Sequence, residues 1–126
     1  MSFYRALYTV TGLFAVLLGV ILVLIPQLYL SLYLALYDPA MGFPTQRFAP
    51  AVIGLGALLL LARDLPAGRF TTRFAGIAAL VWFGVAATGV YHYATGIATE
   101  AILVAAVTEV ILGALFLMAA RSKREA

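Results

Sequence analysis

The chain has 126 residues, 65% of them hydrophobic and 10% charged, with a mean hydropathy of +1.08. A water-soluble domain of this length needs far more polar surface, so the composition excludes one and points to a single integral-membrane domain over residues 1–126. The net charge of +3 does not indicate a nucleic-acid partner, because the basic residues flank apolar runs, where they set topology and meet lipid headgroups.

A first span is predicted at about residues 4–25. Pro26 ends it, since proline cannot continue the backbone ladder. Gly12, Ala15 and Gly19 fall roughly along one side, and the Ala15–Gly19 pair lets another helix approach closely. A cleaved signal peptide is not expected. The apolar run exceeds a typical h-region, and no small-residue cleavage motif follows.

Residues 27–37 carry two periods at once. Leu28, Leu30, Leu32, Leu34 and Leu36 alternate with other residues, as in a strand. Tyr29, Tyr33 and Tyr37 recur every four residues, as on one side of a helix. An isolated strand in lipid would leave its backbone unpaired. A short interfacial helix over 27–37 is therefore expected, with its tyrosines at headgroup level and Asp38-Pro39 as its stop. Residues 41–44 read as a turn-rich loop.

A short second span is predicted at about 45–62, with Arg47 and Arg63 snorkelling at its ends. Pro50 lies in its first turn or kinks it. Pro66 and Gly68 break the loop that follows. The third span is predicted at about 72–93, with Thr71 or Thr72 as N-cap. After a tight turn containing Gly96, the fourth is predicted at about 98–120, with Thr99 as N-cap and Glu100 at the positive helix end. Short connections between four antiparallel spans favour a four-helix bundle.

Seven of the eight basic residues fall on one side: Arg5, Arg63, Arg69, Arg73, Arg121, Lys123 and Arg124. Arg47 alone falls on the other. The positive-inside rule then places both termini in the cytoplasm, with the Tyr-rich segment, His92 and Glu100 opposite.

Glu109 is the main chemical signal. A carboxylate at bilayer depth costs several kcal/mol. Gly54, Gly56, Trp82 and Gly84 are expected at similar depth. One reading is a carboxyl beside a glycine-lined gap that binds a proton, a quinone-like ring or a cation. Another is a hydrogen bond to a carbonyl, Thr108 or Thr88 that ties helices together. A third is pairing with another chain. In each, Glu109 points into protein together with Ala105, Leu112, Gly113 and Phe116, and Val107 and Ile111 lie on the opposite side.

His92 and Glu100 flank the last turn and could pair there, as a proton entry point, part of a metal site or a plain interfacial contact. A single His with no Cys cannot supply two axial haem ligands, and the absence of cysteine also removes disulfides, thiol catalysis and thiolate metal sites. Trp82, near mid-depth, is expected to pack against another helix, a pigment or a lipid. The remaining tyrosines read as an aromatic belt. There is no nucleophile–base–orienter set, no phosphate loop, no HExxH and no soluble domain, so an enzyme is not expected.

Three stretches carry a resemblance. They are Gly12 to Gly19 with Pro26-Gln27-Leu28-Tyr29, Arg47 leading into Gly54-Leu55-Gly56, and the segment from Glu109 to Gly113. Through them the whole chain resembles a group of small four-span bacterial inner-membrane proteins without settled function, DoxX-like in size and hydropathy. The resemblance implies a four-helix membrane bundle and carries over no catalytic residue.

These features predict an accessory or structural subunit of a larger membrane complex, respiratory or photosynthetic, in the inner membrane. The alternative is an oligomeric proton-linked transporter or a lipid- or quinone-binding protein using Glu109. A membrane enzyme ranks last. Expected partners are membrane lipids and other membrane subunits or copies of the chain. Bound lipid, quinone or pigment is compatible with the sequence, and no metal is indicated.

Overall fold

A computed structural model describes residues 2–121. Lys123 and Arg124 of the basic tail lie outside them. Five α-helices follow in order: α1 (Phe3–Leu24), α2 (Pro26–Tyr33), α3 (Gly42–Ala62), α4 (Arg69–Ala94) and α5 (Ala101–Arg121), with a 3₁₀ turn at Pro39–Met41. Among the described residues, four helices are long and apolar enough to cross a membrane: α1, α4, α5, and α3 together with its 3₁₀ turn. The protein is an all-α, multi-pass membrane protein whose spans contact lipid.

Local chemistry sets the boundaries. Ser2 caps α1 by accepting the Arg5 N–H at 3.2 Å. Pro26 ends α1 and opens α2 at the first helical position, where its missing N–H costs nothing. The break strands carbonyls at the end of α1, and the Gln46 amide of α3 donates to that of Val23 at 2.8 Å.

α2 is shorter than its tyrosine period predicts. The rings of Tyr29 and Tyr33 lie 4.6 Å apart, as one helix face requires. At Leu34 the backbone turns extended and forms an antiparallel bridge with Ala98. Ala35 N–H donates to Ile97 at 2.9 Å, and Thr99 N–H to Tyr33 at 2.7 Å. Both periods are thus realised in part, and Tyr37 falls outside the helix. Bridge pairing ends α2, and Asp38-Pro39 does not. Asp38 instead caps the 3₁₀ turn through the Ala40 N–H.

Three other boundaries differ from expectation. The predicted loop at 41–44 is helical from Gly42, which makes span two longer than predicted and places Pro50 inside the helix. Helix α4 starts at Arg69 with Gly68 as N-cap; Thr71 sits one turn in, and its hydroxyl accepts the Gly68 N–H at 3.0 Å. Thr99 does not open α5 at 98. Its hydroxyl donates to the Leu32 carbonyl at 2.7 Å, tying the last turn to α2, and the helix begins at Ala101. Gly96 has a φ of +81°, in the left-handed region that glycine fills without strain, and so permits the sharp turn.

The helices assemble as two pairs, α1 on α3 and α4 on α5. In lipid, packing and not water expulsion drives such contacts, so backbones must come close. Gly12 and Gly56 provide this between α1 and α3. A Cβ on Gly56 would lie 2.6 Å from the Gly12 carbonyl oxygen, and one on Gly19 would lie 2.8 Å from the Ile53 nitrogen. On α5, Gly113 receives the Phe83 ring of α4.

The two pairs join chiefly at one end. There, Leu7, Tyr8, Leu59, Ala75, Ala79 and Phe116 form a continuous buried core with neighbouring alanines. The Tyr8 ring meets Phe116 edge-on at 5.2 Å and Phe74 at 5.9 Å. At the same end Arg5 pairs with Asp64 of the α3–α4 loop. Towards the opposite end, buried residues such as Ala15, Gly19, Ala49, Ala86 and Ala106 lie on the seams within each pair. Between the pairs there is open space, over which α2 is laid.

Candidate binding site

Three cavities run through that space and share walls. The largest, about 470 Å³, lies between α1, α3 and α4 against Phe14, Phe48, Val52 and Trp82, with Tyr29 over it. The second, about 340 Å³, shares Phe14, Leu18, Tyr29, Trp82 and Val85 with it and reaches Glu109 and Thr108 of α5. The third, about 260 Å³, shares Tyr29, Tyr33, Val85 and Glu109 with the second and continues past Thr88 to His92 and the α4–α5 turn. Glu109 stands where the second and third meet.

The Glu109 side of α5 is its packed side. Gly113 and Phe116 are buried there, Ala105 and Leu112 half-buried, while Val107 and Ile111 opposite are 61% and 54% exposed. The carboxyl does not act as a tie to the neighbouring threonines. Thr108 donates to Val104 at 3.1 Å and Thr88 to Val85 at 2.8 Å, each within its own helix. One Glu109 oxygen, Oε2, is buried without a hydrogen-bond partner. Leaving such an acceptor unmet costs about 1–3 kcal/mol, a cost that a donor entering the cavity would remove.

Trp82 is 8% exposed and lies against Phe14, with ring centroids 6.3 Å apart. It packs on another helix, as expected, and also walls two of the cavities. The predicted glycine-lined gap is not found. Gly54 and Gly84 have open space around them and line none of these cavities, and Gly56 is committed to Gly12 and Val16. Aromatic and branched side chains form the walls instead. His92 lies at the mouth of the third cavity, with its ring against Tyr91. Glu100 is exposed, and no hydrogen bond or ion pair joins it to His92 among the described residues. No cluster of potential metal ligands is found among them.

Tyr29 and Tyr33 are the residues that a belt assignment misses. Both turn toward the cavities, and Tyr29 lines all three. Burial, with smaller contributions from Tyr33 and Glu109, pushes the Tyr29 phenol above its ordinary range, so it stays an O–H donor. Their four-residue spacing right after Pro26 was the available signal: a helix folded back at Pro26 turns one such side onto the bundle. Phe14, Leu18 and Val85 had no such signal, since they read as lipid-facing apolar residues. Comparison with family models, with curated proteins and with solved structures finds no match.

Proposed function

We propose that this multi-pass membrane protein binds a lipid-soluble ligand between its two helix pairs, and that the ligand is of the isoprenoid quinone class. The observation that carries this reading is a connected apolar cavity ending at a buried, unpartnered carboxylate oxygen. The larger cavities have the size of small-molecule sites and their character, apolar walls with a few convergent polar groups. Phe14, Phe48 and Trp82 would hold ring and tail. Tyr29 and Tyr33 offer donors to a carbonyl oxygen, and Glu109 Oε2 offers an acceptor to a hydroxyl, the pair of functions a quinone–quinol head presents. On this reading the chain binds and does not catalyse. We place the protein in an inner membrane, and the side distribution of arginines supports cytoplasmic termini, which the side from which a thiol reagent reaches the α4–α5 turn would read.

Trp82 is the only tryptophan, so its emission reports occupancy directly. Titrating a short-chain benzoquinone into the purified protein in nanodiscs should quench it saturably. Glu109→Leu should weaken binding by roughly tenfold, the worth of one hydrogen bond of about 1.4 kcal/mol. Glu109→Gln, which retains polar atoms, should weaken it less. Quenching that rises linearly and equally in all three proteins would exclude the site, and phospholipid alone in organic extracts of the purified protein would make it a lipid groove.

A second reading, an accessory subunit of a larger membrane complex, is favoured by the outward side of α4. Gly76 and Gly84 there have open space above them, beside the exposed Ile77 and Leu80. Small residues on a lipid-facing helix let another helix come close. Native mass measurement after mild-detergent extraction should then show a co-purifying chain, whereas a solitary monomer would remove this reading.

A further inference from the structure

The third cavity shares its few polar groups in part with the second, and differs in reaching His92 and the α4–α5 turn. Around its roughly 260 Å³ stand Tyr29, Tyr33, Thr88, His92 and Glu109, together with apolar residues of α2, α4 and α5. A polar cavity needs only about 10–15 Å³ of such volume to hold a water molecule. His92 is exposed at the end of α4, so the cavity opens at the α4–α5 turn. In the other direction the route closes. Between Glu109 and the Arg5–Asp64 end lies the packed core, with Phe116 at 0% and Tyr8 at 2% exposure. The groove that continues past Leu112 toward that end, between α1 and α5, presents only apolar surface and offers water no hydrogen-bond partners.

We infer that this cavity is a hydrated proton path, by which Glu109 exchanges its proton with the aqueous phase at the α4–α5 turn and with that side alone. The exchange moves one proton between the Glu109 carboxyl and a water in the cavity, with Tyr33, Thr88 and His92 able to hydrogen-bond the intervening waters. The titratable groups lining the cavities with Glu109 are Tyr29 and Tyr33 from α2 and His92 from α4. Helix α1 presents only Phe14 and Leu18 beside it, and α3 contributes no titratable wall. No bound ligand is required, so this inference stands or falls apart from the quinone reading.

The chain has no cysteine, so one introduced thiol is the only thiol. A thiol reacts as thiolate and therefore in water. Thr88→Cys in sealed membrane vesicles should react with a membrane-impermeant cationic methanethiosulfonate at least about tenfold faster than Ile111→Cys on the outer side of α5. It should do so only with reagent on the turn side. Tyr33→Cys, at the same cavity, should behave alike and serves if Thr88→Cys does not fold. In parallel, at a pH low enough to protonate the carboxyl, the infrared C=O band that Glu109→Gln removes should shift when the intact protein is moved into heavy water. Cavity thiols that react no faster than Ile111→Cys, or equally from both sides, would overturn the inference, as would a Glu109 band that does not exchange.

Discussion

Gly56→Leu is expected to separate α1 from α3 and to be the most damaging single substitution in the chain. The first atom added would already lie 2.6 Å from the Gly12 carbonyl oxygen and 2.7 Å from the Val16 nitrogen. Both are backbone atoms, so no rotamer change relieves the contact and the helices themselves must move. Over-packing alone costs about 1–3 kcal/mol. The loss here should exceed that, because close approach is what holds helices together where lipid is as apolar as the side chains. Gly54→Leu, two residues away with open space around it, should stay within about 0.5 kcal/mol. Unfolding titrations with a denaturing detergent compare the two directly. Equal stability for both variants would show that the Gly12–Gly56 approach contributes nothing.

Phe116→Ala is expected to be the next most damaging change. Phe116 is fully buried and joins the two pairs through its edge-on contact with Tyr8. In a soluble protein a buried Phe→Ala change costs about 3–5 kcal/mol, partly from transfer to water and partly from the cavity left behind. Inside a bilayer the transfer part largely cancels, since the unpacked ring rests in lipid. The cavity part remains. About 100 Å³ of lost side chain at roughly 24 cal/mol per Å³ gives about 2 kcal/mol. The same detergent titration reads it. The loss should fall on docking between pairs and leave each pair's own seam intact. A cost near 4 kcal/mol would mean that water reaches the unfolded ring. A cost near zero would mean that the pairs are held together elsewhere.

The four spans were legible because apolar runs of this length can satisfy their backbones in lipid only as helices, whatever their neighbours do. Pro26 marked the first boundary for an equally local reason. Glu109 was also legible as a candidate, since a lone carboxyl in the middle of an apolar span must be accommodated by something. The side of α5 that it shares with Gly113 and Phe116 followed from helical periodicity alone.

What surrounds Glu109 depended on distant parts of the chain. Its walls come from α1, α2, α4 and α5, as far apart in the chain as Phe14 and Leu112, and no local pattern distinguishes a cavity-lining Phe14 or Val85 from a lipid-facing one. The glycines misled for the same reason. Gly12 and Gly56 meet, while Gly54 and Gly84 face open space, and only the rotation of each helix against its partner separates the two cases. The end of α2 was likewise decided by tertiary structure. Nothing within 27–37 stops the helix at Tyr33. The backbone near Ala98 does, by offering Tyr33 and Ala35 partners in Thr99 and Ile97, more than sixty residues away. Sequence by itself determined a four-span membrane protein with one carboxyl in the middle of its last span. Tertiary structure alone decided that the carboxyl stands between an aromatic cavity and one that opens at the α4–α5 turn, because a gap between helix pairs is a property of their docking and of no single helix.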